Sequence, residues 1–281
     1  MIKVQFVNIF DFSDLTFNSM PLGILSLATV LKNNKNISAE VVDFHRLYEE
    51  EKILYSKTNL DENIERCCKY LIEREPQVIS FYTMANTHAF AIMMARKIKN
   101  KYPSIKILLG GPQASLTAKN TLNAFKCIDA IGVGDGEETI EKILLGIVNN
   151  DFSEAEGICY RLEDQIIYKS HPLIENLDVL PLIDISLLNC VSIGDRISID
   201  AGRGCPFGCS FCSAKMMWER SFRIKSANRL YQEILYYYHE YGITNYGLEH
   251  DIFVLDKKMY MLFVISCYRA DWILSGDVAQ G

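Results

Sequence analysis

Apolar residues recur along the first 150 positions in two alternating rhythms. Ile2-Lys3-Val4-Gln5-Phe6-Val7-Asn8-Ile9 has the pattern of a buried strand, and a polar loop runs from it to Asn18. Met20-Pro21-Leu22-Gly23 opens a helix whose Leu25, Leu27, Ala28 and Leu31 share one face. Strands are predicted over 38–44, 77–81, 105–109 and 130–133, with helices over 60–73, 87–101 and 138–148 between and after them. Gly110-Gly111-Pro112 ends the fourth strand. Strands alternating with helices at this spacing predict a parallel sheet covered on both faces. In such sheets ligands bind beyond the carboxyl ends of the strands.

The pattern then changes. Residues 158–168 read as a hairpin turning at Glu163-Asp164-Gln165, and 171–181 as an extended connector. Residues 196–201 alternate as a short strand, which Gly202-Arg203-Gly204 interrupts. Ser226 is placed to cap a helix over 228–241, with Leu230, Ile234 and either Tyr237 or Tyr238 facing inward and Gly242 as its stop. A second strand follows at 246–248, a helix at 256–268 and a third strand at 271–274. This gives an α/β domain over 1–150, a linker over 151–190 and a second α/β segment over 191–281.

Composition narrows the class. A hydrophobic content of 49% and a net charge of −6 over 281 residues describe a globular chain with no electrostatic reason to bind nucleic acid. No run of apolar residues approaches the ~18 of a membrane span, and Met1-Ile2-Lys3-Val4 leads directly into a strand, so neither a membrane nor a secretory signal is expected. Nine cysteines without such a signal point to reduced thiols in the cytoplasm.

Three of those cysteines carry chemistry. Cys205-Pro206-Phe207-Gly208-Cys209-Ser210-Phe211-Cys212 has C-x3-C-x2-C spacing, and no fourth cysteine follows at a similar interval. A structural zinc site closes with four protein ligands, one more than this loop offers. A 4Fe-4S cluster has four iron corners, and three thiolates leave one open for another ligand. The alternatives are a zinc knuckle and three reduced core thiols. Position favours the cluster, because a loop leaving the carboxyl end of a barrel strand lies on the face that carries chemistry.

Arg203-Gly204-Cys205 through Cys212 resembles the cluster-binding loop of radical S-adenosylmethionine (SAM) enzymes. The resemblance implies that Cys205, Cys209 and Cys212 hold the cluster. It also implies that the open iron chelates SAM through its amino and carboxylate groups, and that one electron then splits a sulfur–carbon bond to give a deoxyadenosyl radical. Phe211 matches the aromatic residue that this family places near the adenine. Glu249-His250-Asp251 falls at the end of the second strand, where Glu249 and Asp251 are candidates for the SAM amino group or ribose hydroxyls; a polar strand end is the plain alternative. Arg220 and Arg223 could face the same site, although solvated arginines are the simpler reading.

The first domain also carries a resemblance. Met20-Pro21-Leu22-Gly23, Gly110-Gly111-Pro112-Gln113-Ala114 and Gly134-Asp135-Gly136-Glu137-Glu138 look like pieces of the Rossmann-like cobalamin-binding domain that precedes many radical SAM domains. Gly110, Gly111, Gly134 and Gly136 are then the candidates for close approach of cobalamin to the backbone. Some cobalamin domains carry an Asp-x-His-x-x-Gly run whose histidine binds cobalt. Asp43-Phe44-His45 lacks its glycine, so His45 is expected to be a loop histidine and His88 a helix-start residue. Cys67 and Cys68 share a helix and offer no second cluster site, while Cys159 and Cys190 are expected as buried thiols.

Together these resemblances imply a cobalamin-dependent radical SAM enzyme, with methyl transfer to an unactivated carbon as its expected chemistry. The substrate, a small molecule or a peptide, is not identified, and a flavodoxin or ferredoxin would donate the electron. A different class, a non-catalytic cobalamin-binding sensor with a remnant cluster loop, is the alternative. Sixty-nine residues follow Cys212, enough for two or three strand–helix units where the family's barrel has six. A partial (β/α) barrel is therefore expected, cut short or completed by a partner chain, with an open edge prone to association.

Overall fold

A computed structural model describes residues 1–10, 20–56, 58–170, 172–190, 193–194 and 196–269. Two units are distinguished, Met1–Pro172 with Ile183–Val191, and Leu173–Leu182 with Ser192–Gly281.

The first unit runs β1 (Ile2–Asn8), α1 (Leu22–Leu31), β2 (Ile37–Asp43), α2 (Phe44–Glu49), α3 (Leu60–Ile72), β3 (Val78–Tyr82) and α4 (His88–Lys101). It continues through β4 (Lys106–Gly110), α5 (Pro112–Ala124), β5 (Ala130–Gly132), α6 (Ile140–Asn149), β6 (Ile158–Leu162) and β7 (Gln165–Lys169). The strands form one sheet in the order β2-β1-β3-β4-β5-β6-β7. The first five are parallel; β6 pairs antiparallel with β5, and β7 with β6. Strand order reverses between β1 and β3, which makes their carboxyl ends the switch point where open α/β sheets open a crevice. Consecutive residues Phe6 and Val7 are both buried, as are Val78 and Ile79, because helices cover both faces.

The five predicted parallel strands and the hairpin are all present, and two helices were not foreseen. In α2, the Asp43 side chain accepts the His45 N–H and turns the chain from strand to helix one residue before the predicted strand end. In α5 the buried residues are Ala114, Ala118, Thr121 and Leu122, so small and polar side chains hide the helical period. Elsewhere the ends follow their caps. The Asn59 carboxamide oxygen accepts from Glu62 N at 3.1 Å to start α3.

The second unit contains β8 (Arg196–Asp200), β9 (Gly202–Arg203), α7 (Ala214–Met217), β10 (Arg223–Ile224), α8 (Ala227–Tyr241), β11 (Asn245–Glu249) and α9 (Lys257–Arg269). β8 and β11 are parallel and in register from Arg196–Asn245 to Asp200–Glu249, with α8 as the crossover between them. Ser226 Oγ accepts from Arg229 N at 3.1 Å, and Gly242 ends α8 at φ +68°, as its sequence predicts. Leu230, Ile234 and Tyr237 form the buried face while Tyr238 is exposed, which decides between the two tyrosines. The third strand expected at 271–274 lies outside the described residues.

The connector is not simply extended. Ile174, Leu177 and Leu180 form a small apolar cluster around a single 3-10 turn, Leu177–Val179. Arg229 Nη2 donates to Leu180 O at 2.7 Å, and Asp178 Oδ1 accepts from Ser226 N at 2.9 Å. Arg223 is buried rather than solvated. Its Nη1 donates to Ile174 O at 2.8 Å and its guanidinium lies 5.2 Å from the Trp218 ring.

Candidate functional site

The candidate residues fall at strand ends in each unit. In the first unit, β4 ends in Gly110 and α5 begins after Gly111, whose φ/ψ of +90°/177° only glycine adopts without strain. A Cβ on Gly111 would lie 2.8 Å from both Thr83 O and Tyr82 Cδ2, so this glycine serves the meeting of two strand ends. Gly110 and Gly134 differ: a Cβ on either meets nothing within 4 Å. Gly136 packs toward α1, with Leu27 Cδ2 at 3.0 Å from its built Cβ. Open backbone at Gly110, the last residue of β4, and at Gly134, just past β5, fits the close approach of a flat ligand. Gly111 and Gly136 hold the walls together instead. The loop after β5 is tied to α1 by Ser26 Oγ donating to Glu137 Oε1 at 2.7 Å.

The two histidines have settled roles. His88 starts α4, as expected, with Nδ1 3.4 Å from Thr83 Oγ1 and Nε2 3.3 Å from Thr121 Oγ1. Burial depresses its pKa and favours the neutral ring. His45 is not a loop residue: it sits buried in the first turn of α2, its ring 5.4 Å from that of Phe10. Cys159 is fully buried, whereas Cys190 is only half-buried and accepts a long contact from Arg46 Nη1 at 3.8 Å.

In the second unit, the chain leaves β8 through Ala201 and forms the two-residue strand β9, which pairs with β10. Gly202-Arg203 is thus a paired strand and not only an interruption. Cys205 to Cys212 lies within the excursion that this stem closes. Gly204, just before Cys205, has φ +91°, and a Cβ there would fall 2.4 Å from Ser221 O. Its N–H donates to Asp251 Oδ2 at 2.8 Å. Arg203 donates from Nε and Nη2 to Asp200 Oδ2 at 3.1 and 2.8 Å. Glu249 Oε1 accepts from Ser198 Oγ at 2.8 Å. His250 Nδ1 accepts from Ile252 N at 2.7 Å, which places its proton on Nε2, 3.3 Å from Arg223 O. Burial lowers the pKa of this ring as well.

The three cysteines are unlinked thiols on one loop, Cys209 exposed and Cys205 and Cys212 partly so. Among the described residues no three His, Cys, Asp or Glu side chains gather closely enough to hold a metal ion, so the thiols share the loop without converging. Their donor set nonetheless fits a cluster, because three uncommitted sulfurs on an irregular, accessible segment can turn toward one point. Phe211 is 91% exposed and available to a ligand at the loop. Arg220 lies over the loop, its Nη2 2.9 Å from a Cβ built on Gly208, and both Glu219 and Arg220 have positive φ. That approach, and the carboxylate bond to Gly204, are invisible in sequence because the partners are 12 and 47 residues apart.

Residues 13–144 match the B12 binding domain family. Over 200 residues, 68% of this chain, the sequence is 26% identical to an uncharacterized methyltransferase, PH0819, of Pyrococcus horikoshii, of which 43% is covered. It is likewise 26% identical over 210 residues to the anaerobic magnesium-protoporphyrin IX monomethyl ester cyclase of Synechocystis sp., covering 72% of this chain and 41% of the cyclase. The chain therefore spans about two fifths of the length of these relatives. The fold matches that of OxsB, a cobalamin-dependent SAM radical enzyme solved with aqua-cobalamin and SAM bound, at a TM-score of 0.72 and 15% identity. That match covers 96% of this chain and 37% of OxsB. A match to the B12 binding domain family over residues 13–144 thus precedes a three-cysteine α/β segment, in a fold shared with the cobalamin-dependent SAM radical enzyme OxsB.

Proposed function

We propose that the chain acts as a cobalamin-dependent radical SAM methyltransferase on a small molecule or peptide. The observation that carries this reading is the three-cysteine loop at the carboxyl end of β8, in a chain whose first half matches the B12 binding domain family. Cys205, Cys209 and Cys212 would hold the cluster, and reductive cleavage of SAM is the chemistry it would supply there. Phe211 offers a face for the adenine, and Arg220 brings positive charge over the loop. In the first unit, the open backbone at Gly110 and Gly134 would receive the corrin, and His88, bonded on both nitrogens, stays off the metal. A flavodoxin or ferredoxin would donate the electron, in the cytoplasm.

Likeness to the magnesium-protoporphyrin ester cyclase favours a second reading, radical ring formation without methyl transfer. Anaerobic reconstitution with iron, sulfide and cobalamin, followed by assay of SAM products, separates the two. Methyl transfer gives adenosylhomocysteine together with deoxyadenosine; cyclisation gives deoxyadenosine alone. About four irons per chain should bind, and Cys209→Ala should lose them. Stoichiometric zinc with no iron uptake would sink both readings. Cobalamin retained without iron would leave a binding or sensor protein.

A further inference from the structure

We propose that Asp251 is a positioning residue: its carboxylate sets the direction in which the cysteine loop leaves the sheet. The proposal rests on the loop being the cluster site, and concerns how that loop is aimed. Three successive residues ahead of Cys205 are each held by a different contact. At Gly202 the His250 ring passes so close that a Cβ would lie 2.2 Å from Cδ2. Arg203 is held by Nε and Nη2, which both donate to Asp200 Oδ2. Gly204 is in a left-handed conformation, with Ser221 O blocking one side and its N–H given to Asp251 Oδ2 at 2.8 Å.

Asp251 is itself well anchored. The preceding residue, His250, has both ring nitrogens engaged, one by the N–H of Ile252, and its ring meets Phe222 edge-on at 5.0 Å. By contrast, the backbone hydrogen bond from Cys212 N to Cys209 O, 3.2 Å, is internal to the loop and ties it to nothing else. The loop is therefore fixed at its start and adaptable at its thiols. Direction is decided at Gly204, because the next residue is the first cysteine. A hydrogen bond to a carboxylate is stronger than a neutral one, and this one joins the end of β11 to the loop across 47 residues of sequence. Asp251 thereby acts through the backbone, not on substrate or cofactor.

Asp251→Ala removes the acceptor and Asp251→Ser leaves only a hydroxyl on a shorter side chain, both at an exposed position so that the core stays intact, while Asp251→Asn keeps an oxygen that can accept at the same reach. In the reduced, metal-free full chain, hydrogen exchange at the Gly204 amide should speed up about tenfold in the Ala and Ser variants, the lower end expected for an exposed charge-assisted bond. The Asn variant should exchange nearly as the wild type does. After anaerobic loading with ferrous iron and sulfide, iron should pass to a chelator several-fold faster from the Ala and Ser variants, with rescue by Asn. Unchanged exchange in both truncations would overturn the proposal. So would faster exchange with iron held as firmly as in the wild type, or an Asn variant as defective as Ala, since the negative charge rather than the bond would then matter. If the wild type takes up no iron, the cluster reading fails, and the amide exchange still decides whether Asp251 holds the loop.

Discussion

Gly111 offers the sharpest test of the N-terminal site, because the structure separates its role from that of its neighbour. Replacing it with alanine forces a side chain into φ/ψ of +90°/177°, a region that costs roughly 1–3 kcal/mol for any other residue. The new methyl would also stand 2.8 Å from Thr83 O and the Tyr82 ring, and overpacking of this kind costs about 1–3 kcal/mol. The two terms share one relaxation, so a loss of about 2–4 kcal/mol is expected. Gly110→Ala is the control: nothing lies within 4 Å of its Cβ and its φ is not positive, so a change within about 0.5 kcal/mol is expected. Urea unfolding followed by circular dichroism measures both, and cobalamin uptake followed by absorbance separates stability from binding. Gly110→Leu should abolish uptake in a folded protein, whereas Gly111→Ala should lower stability first. Equal stability of Gly111→Ala and the wild type would refute the packing argument.

Further expectations concern other parts of the chain. Glu233→Ala leaves the Lys225 ammonium buried without the carboxylate 2.8 Å away, which should cost about 3–5 kcal/mol in urea unfolding. His88 and His250 both have depressed pKa values, so the unfolded chain binds protons first; stability should be flat above about pH 6.5 and decline below it. Chemical denaturation across pH 5–8 should show a shallower decline in His88→Gln than in the wild type. In the reduced, metal-free protein, iodoacetamide should modify exposed Cys209 long before Cys67 and Cys68, whose thiols burial pushes up to about 12; peptide mass spectrometry reads the order.

Sequence alone carried the elements whose periods are strong. β1 and β3 show runs of Val, Ile and Phe, and Ser226 and Gly242 mark both ends of α8 by their own chemistry. Helix α5 escaped because its buried positions are filled by Ala and Thr, which look like a loop in a hydrophobicity pattern. The cysteine spacing was legible for a different reason: the three cysteines lie within eight consecutive residues. What could not be read was the surrounding structure. Nothing in Gly204 or Asp251 announces a bond between positions so far apart, and nothing in Arg223 announces that Ile174 O and Trp218 will enclose it. Two glycines next to each other, Gly110 and Gly111, looked equivalent in sequence; one faces open space and the other a carbonyl oxygen.

The antiparallel hairpin β6–β7 has a consequence for any shortened version of this chain. Residues 1–150 contain the five parallel strands and the six α-helices of the first unit, and by pattern they look self-sufficient. Yet Ile158 and Cys159 are fully buried, and β5 is three residues long, with β4 on one side and β6 on the other. A fragment ending at 150 would leave Ile131 beside bare backbone donors and acceptors, an adhesive margin that invites strands from neighbouring molecules. One ending after Lys169 keeps that margin sealed behind β7, whose outer residues Gln165 and Tyr168 already face water. The hairpin is thus the selvedge of the sheet, and it sets where the domain can be trimmed without making it sticky.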